Sequence, residues 1–149
     1  MSSEGRYCSF FLGDLLFGIE VERVQEVIRP QQMTPVPLAS AVVRGLINIR
    51  GQIVAAIDLA HRLELDTQAS DQSMNVVITR GKRTVSLLVD RIGEVLECDQ
   101  ADFEPPPDTL ERSVRDLIRG AFKLEKRLLL LLDTDRVMAF SATGEDGAA

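Results

Sequence analysis

The stretch at residues 34–59, TPVPLASAVVRGLINIRGQIVAAIDL, constrains the fold of this chain more than any other part of the sequence. It contains two apolar runs joined by Arg50 and Gly51, and it is entered through Pro35 and Pro37. Proline fixes φ and removes a backbone donor, so the entry is an extended connection and not a helix. Two apolar runs separated by a glycine-containing pair predict two neighbouring strands. Because no catalytic side chain is concentrated here, the stretch favours a binding module over an enzyme.

Short strand-like runs recur along the rest of the chain, whereas helical patterns are few and short. We predict strands at residues 7–12, 15–19, 42–43, 46–49, 52–57, 75–79, 84–89, 92–96, 121–124 and 128–132. We predict short helices at residues 20–26, 58–63 and 133–137, and the periodicity also allows a helix over residues 109–118. This pattern predicts an all-β fold with a few short helices, of the barrel or sandwich type. Residues 141–149 are expected to form a flexible tail.

Composition narrows the class of function. The chain has 149 residues, of which 45% are hydrophobic, so one domain with a packed core is expected. The net charge of -6 argues against a nucleic-acid partner, since such proteins carry a basic surface. The longest apolar run, at residues 128–132, is too short to cross a bilayer, and no signal peptide precedes residue 20. We therefore expect a cytoplasmic protein without direct membrane insertion.

Neither a metal nor a cofactor is predicted. Cys8 and Cys98 lack metal-ligand spacing, and they are interpreted as packed thiols. The glycines form no dinucleotide-binding or phosphate-binding motif. His61, the only histidine, has no Ser or Cys partner in a recognisable catalytic motif.

Three apolar runs end in an aspartate: Asp58, Asp90 and Asp133. A carboxylate at the end of a strand can accept hydrogen bonds from the backbone N–H groups that follow, and we favour this structural role. Asp58 is also the predicted N-cap of the helix at residues 58–63. The alternative is acid–base or ligand chemistry at these carboxylates, in a small β-barrel enzyme or ligand-binding protein.

An ion pair between Glu26 and Arg50 is the most specific charge interaction that the sequence suggests. Glu22 and Glu26 are four residues apart and would share one face of the predicted helix at residues 20–26. A guanidinium can bind a carboxylate with two hydrogen bonds, so Arg50 is the candidate partner of Glu26. We expect this pair at the rim of an apolar groove lined by Val24, Val27 and residues of the region 85–95. A second cationic group, Arg80, Lys82 and Arg83 at a hairpin tip, is either a solvated turn or a docking point for a protein.

The order and spacing of several stretches resemble the CheW family of chemotaxis coupling proteins, over about residues 7–140. The stretches are FFLGDLLFGIEVERVQEVI, TPVPLASAVVRGLINIRGQIVAAIDL, VSLLVDRIGEVL, FEPPP and LLLLLDTDRVM. The resemblance implies two five-stranded SH3-like β-barrel subdomains that share a hydrophobic core. One would span about residues 13–74, and the other about residues 75–140 completed by the N-terminal strand at 7–12, within a single domain at 1–149. It also implies loop and strand instead of a long helix at 109–118.

The resemblance also implies a function. Members of the family are adaptors without enzymatic activity, which couple methyl-accepting chemoreceptors to the regulatory domain of the histidine kinase CheA in chemotaxis or related motility signalling. The protein would then work in the cytoplasm, at receptor arrays near the inner membrane, with the receptor tip in a groove between the barrels. The positions that match residues tied to receptor or kinase coupling in the family are Val24, Glu26, Val27, Gly45, Arg50 and Val95. Three positions depart from common family residues: Ala55 for proline, Ser86 for glycine and Leu117 for an aromatic residue.

Overall fold

The computed structural model of this chain describes residues 4–140, which form eleven strands and three short helices. The strands are β1 (Glu4–Leu12), β2 (Leu15–Glu20), β3 (Val24–Ile28), β4 (Val43–Ile49), β5 (Gln52–Asp58), β6 (Met74–Arg80), β7 (Arg83–Val89), β8 (Arg91–Asp99), β9 (Phe103–Glu104), β10 (Ile118–Lys123) and β11 (Leu128–Leu132). The helices are α1 (Leu59–Arg62), α2 (Arg112–Arg115) and α3 (Thr134–Val137), with 3₁₀ turns at Val21–Arg23 and Gln100–Asp102. The predicted mostly-β fold with short helices is confirmed. The tail predicted at 141–149 lies outside the described residues.

The strands form two sheets with the same kind of connectivity. One has six strands in the order β8-β1-β2-β11-β10-β9, and the other has five in the order β3-β6-β7-β5-β4. Neighbours are antiparallel except for β2 with β11 and β5 with β7, which are parallel. The hydrogen-bonded ladders are open, with β8 and β9 as the edges of one sheet and β3 and β4 as the edges of the other. The ladders therefore correct the expected five strands in each unit to six and five.

The chain contains an internal structural repeat. The first copy runs from β1 to α1 and the second from β6 to α3, each made of a hairpin, a bulged strand, a second hairpin and a short helix. The first hairpin of each copy joins the sheet of the other copy, because β1 and β2 lie beside β8 and β11 while β6 and β7 lie beside β3 and β5. This exchange makes the two halves one folding unit.

The two bulged strands match residue for residue. Residues 24–28 read VQEVI and residues 92–96 read IGEVL. In β3, the pairing slips by one residue between Val24 and Val27 against the partner β6, and β8 slips in the same way between Ile92 and Val95 against β1. A bulge changes the aim of the side chains that follow it. Val27 and Val95 consequently occupy equivalent positions in the two copies.

The core has three layers. The largest cluster lies between the two sheets and takes side chains from both, including Phe17 and Ile19 of β2 and Leu87 of β7. A second cluster packs on the far face of the five-stranded sheet, and a third on the far face of the six-stranded sheet. The run of leucines in β11 follows from this arrangement, since alternate side chains enter different clusters. The expected shared hydrophobic core is present.

Tight turns close the hairpins. Arg50 and Gly51 connect β4 to β5 in two residues, and both have a positive φ, of 52° and 86°. Positive φ at both central residues is the type I′ geometry that fits the twist of a hairpin. Gly51 supplies one of these positive φ values without steric cost, because it has no side chain. Arg50 carries the same backbone conformation without the freedom of a glycine, which costs free energy.

The helix predicted at residues 20–26 is wrong, and the one that periodicity allowed over 109–118 is mostly absent. Residues 20–26 form a 3₁₀ turn followed by β3, so Glu22 and Glu26 do not share a helix face. The apparent helical period arises because a 3₁₀ turn repeats every three residues and the bulge in β3 adds one residue to a strand. The helix allowed over 109–118 shrinks to α2, after which β10 begins at Ile118. The predicted N-cap Asp58 and the helical turn near 133–137 are confirmed.

The grouping of strands changes after β2 and again after β7. Residues 24–58 and 74–89 contribute the five-stranded sheet, whereas residues 4–20 and 91–132 contribute the six-stranded sheet. The division into subdomains at residues 13–74 and 75–140 stays a prediction. Among residues 4–140, no helix is long and apolar enough to cross a membrane.

Candidate functional site

Arg50 and Glu26 form a two-pronged ion pair. Nη1 of Arg50 donates to Oε2 of Glu26 and Nη2 donates to Oε1, both at 2.7 Å. The side chain of Arg50 is 77% exposed, whereas that of Glu26 is only 16% exposed. With the guanidinium in place, the carboxylate is therefore largely withdrawn from water, while the arginine itself stays exposed. The predicted contact between these two residues is confirmed.

The ion pair joins the two edges of the five-stranded sheet. Glu26 lies on β3, one edge strand, and Arg50 lies in the turn that follows β4, the other edge strand. The bulge in β3 sets the direction of Glu26, and the type I′ turn sets that of Arg50. A guanidinium that forms two parallel hydrogen bonds restrains both the position and the orientation of its carboxylate partner. The ion pair therefore stabilises the curvature that brings the two edges of the sheet together.

Gly45 allows a second link, between β4 and the connection that follows β3. A Cβ at this position would lie 2.9 Å from the carbonyl oxygen of Thr34 and 3.1 Å from Cβ of Met33. Thr34 and Leu46 exchange two backbone hydrogen bonds, of 2.8 and 2.9 Å. Only glycine leaves room for this approach of the two backbones.

The structure separates the apolar residues that the sequence grouped together. Val24 packs against the core between the sheets, while Val27 is 39% exposed beside Glu26. Val95 is 51% exposed, but it lies on β8 in the other sheet. The expected groove lining from residues 85–95 needs correction, because Val85, Leu87 and Val89 are fully buried in β7. The alternation of a central strand turns these side chains inward.

Sequence reasoning missed two exposed apolar side chains. Ile53, three residues after Arg50, is 61% exposed, and Leu38 is 92% exposed. Ile53 borders a surface groove with a volume of about 570 Å³, whose lining includes Thr34, Leu46 and Asn48. The alternation of side chains along β5 could have predicted the exposure of Ile53, since Val54 and Ala56 point into the core and Ile53 does not.

The cationic hairpin tip binds within the molecule. Nε of Arg80 lies 2.6 Å from Oδ1 of Asp135 in α3, and Arg83 donates to the carbonyl oxygen of Met138. Arg62 donates to the carbonyl oxygens of Arg136 and Val137 at 2.9 and 3.3 Å. Arg62 at the end of α1, together with Arg80 and Arg83 of the five-stranded sheet, therefore holds α3 and the residue after it, which follow β11 of the other sheet. Arg80 and Arg83 are used for this purpose, which disfavours the hypothesis of a docking point for a protein.

The three aspartates do not form a shared site. Asp58 caps α1 and accepts hydrogen bonds from the backbone N–H groups of His61 and Ala69. Asp133 caps α3, and Oδ2 of Asp90 accepts a hydrogen bond of 2.7 Å from the N–H of Gly13. Asp58 and Asp133 accept hydrogen bonds from the residues that follow them, as the structural interpretation predicts, whereas Asp90 binds the distant turn between β1 and β2. This arrangement does not favour the alternative of an enzyme or ligand-binding barrel.

The thiols are protected from ionisation. Burial raises the pKa of the thiols of Cys8 and Cys98 above their ordinary value of 9.0, since a thiolate would lose hydration. Both cysteines are free. Across residues 4–140, no group of three or more His, Cys, Asp and Glu side chains is placed to hold a metal ion.

Comparison with known proteins gives a consistent answer. The model of the CheW-like domain family matches residues 6–141. The chain belongs to this family. A chemotaxis protein CheW from Rhizobium meliloti is 31% identical over 130 residues, which cover 87% of this chain and 84% of the relative. A chemotaxis protein CheW from Treponema pallidum is 27% identical over 136 residues, covering 88% and 80%.

The fold comparison agrees. The crystal structure of the scaffolding protein TtCheW from Thermoanaerobacter tengcongensis superposes with a TM-score of 0.81 at 25% sequence identity. The match covers 95% of this chain and 96% of that structure. Because sequence and fold both match chemotaxis proteins over nearly the full length, this member of the family is a chemotaxis coupling adaptor.

Proposed function

We propose that the chain couples methyl-accepting chemoreceptors to the regulatory domain of the histidine kinase CheA, as a cytoplasmic scaffold without catalytic activity. The observation that carries the proposal is the exposed fork of Arg50 on Glu26, with Val27 exposed beside it. An ordered guanidinium at the centre of a partly apolar surface has the chemistry of a protein contact site.

Two equivalent surfaces could engage two different partners. Val27 on β3 and Val95 on β8 occupy equivalent positions in the internal repeat. The glutamates before them differ, because Glu26 forms an ion pair with Arg50 whereas Glu94 is exposed. A helical receptor tip suits a groove that offers apolar anchors and a polar rim. In this proposal Val24, Glu26, Val27, Gly45, Arg50 and Val95 form or support the partner-binding surfaces.

We further propose that each sheet is part of an SH3-like barrel. In the five-stranded sheet, Thr34 pairs with Leu46, and Arg50 forms an ion pair with Glu26. These two links bring β3 and the segment after it close to β4. In the six-stranded sheet, the edge strands β8 and β9 follow each other through one 3₁₀ turn. These links support curled sheets that approach closure.

Coupling would work through geometry. A rigid adaptor that binds receptor and kinase together fixes their relative position, so a change in the receptor alters the equilibrium between kinase states. The scaffold needs packed, well-ordered surfaces for this role and no reactive group.

The test is reconstitution of the chain with a cognate receptor and kinase, with ternary assembly and kinase rate both measured. Arg50→Ala should weaken assembly roughly tenfold, since it removes both hydrogen bonds of the fork. Arg50→Lys should recover only part of the binding, because an ammonium keeps the charge but cannot form the fork. Arg112→Ala is the matched control, as Arg112 is 86% exposed and forms only a surface pair with Asp116.

Two results would contradict the proposal. Assembly of all three proteins without any change in kinase rate would disprove coupling. Binding to one partner only would indicate a regulator that occupies receptor or kinase without joining them. Normal binding by Arg50→Ala, with circular dichroism showing a retained fold, would remove Arg50 from the contact surface while leaving the adaptor role to be carried by other residues.

A further inference from the structure

Two arginines converge on one phenylalanine at an end of the six-stranded sheet. The guanidinium carbon of Arg91 lies 4.3 Å from the ring centroid of Phe11, and that of Arg127 lies 5.3 Å from it. Arg91 is the cross-strand partner of Phe11 at the start of β8, while Arg127 comes from the turn between β10 and β11. The topology thus brings two cations that are distant in sequence to the same aromatic ring.

Nothing in residues 4–140 neutralises these two cations. Seven other arginines lie within 4.0 Å of a carboxylate, namely Arg23, Arg50, Arg80, Arg112, Arg115, Arg119 and Arg136. Arg91 and Arg127 have no such partner in this part of the chain, although the protein as a whole has an excess of acidic residues. Asp90, next to Arg91, uses one carboxylate oxygen to accept the N–H of Gly13.

The ring under the two cations is partly accessible from outside. Phe11 is half-buried over the cluster on the far face of the six-stranded sheet, and Arg91 and Arg127 are exposed. The backbone at Gly93 packs closely against Ser9 and Phe11, since a Cβ there would lie 2.5 Å from Oγ of Ser9 and 3.5 Å from the ring. Cation–π contacts hold each guanidinium over the ring while its N–H groups remain free to donate outward.

We propose that Arg91, Arg127 and Phe11 form a binding site for an acidic segment of a partner protein, with a carboxylate between the guanidiniums and an apolar side chain against the ring. Two like charges held together repel each other, and a bound carboxylate replaces that repulsion by two charge-assisted hydrogen bonds. A protein segment fits better than a nucleic acid or a lipid surface, because the net charge of -6 repels extended polyanions. This surface is separate from the Glu26–Arg50 pair.

The site can be tested on the isolated full chain by NMR titration with two capped peptides, Gly-Glu-Leu-Glu-Gly and Gly-Gln-Leu-Gln-Gly. The Glu peptide should shift the Nε–Hε signals of both arginines and the ring signals of Phe11, with a dissociation constant on the order of 1 mM. The Gln peptide should bind at least roughly threefold more weakly, since it lacks the charge. The Arg91→Gln/Arg127→Gln double variant should lose the shifts, and Arg112→Gln should keep them.

Phe11→Leu separates the role of the ring from that of the charges. It should retain part of the carboxylate binding while losing the preference for the Glu peptide over free acetate, because leucine has no aromatic face. Shifts that are equal for the Glu and Gln peptides, or none at about 10 mM peptide, would overturn the proposal. Tighter binding to inorganic phosphate, or to vesicles that contain phosphatidylserine, would also overturn it in favour of another anion source. None of these readouts depends on receptor or kinase coupling.

Discussion

At the scale of the residue, Ser86 shows how a polar side chain is accommodated in the core. It is fully buried in β7, and its Oγ donates to Oδ1 of Asn75 in β6 at 2.8 Å. Nδ2 of Asn75 in turn donates to the carbonyl oxygen of Arg29, at 3.2 Å, just after β3. A serine in place of the glycine that is frequent in the family therefore completes a chain of hydrogen bonds. This chain secures the segment that leaves the edge strand bearing Glu26.

Removing the hydroxyl should measure this link. We expect Ser86→Ala to lower the free energy of unfolding by about 1–2 kcal/mol, because Oδ1 of a buried Asn75 loses its donor. Urea denaturation followed by circular dichroism gives the value. Ala55→Ser, on a half-buried position of β5, is a control for adding a hydroxyl to a strand. A stability unchanged in Ser86→Ala would mean that the hydrogen bond contributes nothing net.

Arg50 is strained as well as exposed. Its φ of 52° is one that residues other than glycine and asparagine rarely adopt. Strain of this kind is kept where the side chain is used, and the fork on Glu26 is that use. The same residue thus links a costly backbone conformation to the proposed contact surface.

At the scale of the element, the short helices depend on their first residue. A helix of four residues has almost no internal hydrogen bonding, so capping decides whether it forms. Asp58 is 6% exposed and binds the N–H groups of both His61 and Ala69, which joins α1 to the loop behind it. Asp133 occupies the equivalent place before α3, but caps only the N–H of Arg136.

This difference predicts unequal costs for the same substitution. Asp58→Ala should lower the free energy of unfolding by about 2 kcal/mol, because two backbone N–H groups lose their acceptor in a buried place. Asp133→Ala should cost about 1 kcal/mol, since it removes one cap at a more exposed site. Chemical denaturation of both variants beside Asp58→Asn, which keeps one acceptor oxygen, provides the measurement. Equal losses in the two alanine variants would show that the contact to Ala69 adds no stability.

At the scale of the whole molecule, two features hold the sheets together: the exchange of hairpins between the two copies of the repeat, and hydrogen bonds and an ion pair from arginine side chains. Each hairpin completes the sheet of the other copy, and Arg62, Arg80 and Arg83 bind α3 across the junction. Neither half can form its sheet without strands from the other. We therefore expect one cooperative unfolding transition for the chain.

The dependence of stability on pH should reflect groups buried in their neutral form. Desolvation raises the pKa of Tyr7 above 10.0 and the pKa values of Cys8 and Cys98 above 9.0. The unfolded chain releases these protons first as pH rises, so their stabilising effect is complete below the ordinary values and is lost as pH passes through the raised ones. The urea midpoint should fall between about pH 8 and pH 11. Cys8→Ala should reduce this fall, and a midpoint independent of pH across this range would contradict the interpretation.

Much of the fold was readable from local patterns. Alternation and turn residues predicted the hairpins at residues 75–89 and 46–57, and the position of Asp58 predicted a helix cap. The fork of Arg50 on Glu26 was also predicted, although the helix assumed under Glu26 proved to be a strand. Periodicity misled there because a bulge and a 3₁₀ turn imitate a helical repeat.

Other features of the site could be identified only from the tertiary structure. The exposure of Ile53 depends on which face of β5 meets the core, and the burial of Leu87 depends on β7 lying inside a sheet covered on both faces. The convergence of Arg91 and Arg127 on Phe11 joins residues from three separate strands or turns. Local sequence carries no record of such non-local pairings.

The sequence by itself determined the family, the strand-rich character of the chain, the turn at Arg50 and Gly51 and the capping role of Asp58, because these depend on residues that are neighbours along the chain. Only the tertiary structure decided which hairpin joins which sheet, since strand pairing is settled by burying apolar faces from both halves in one core. That exchange places Val27 and Val95 in equivalent positions on different sheets. It also brings Arg91 and Arg127 over the ring of Phe11, where neither forms an ion pair with a carboxylate of residues 4–140.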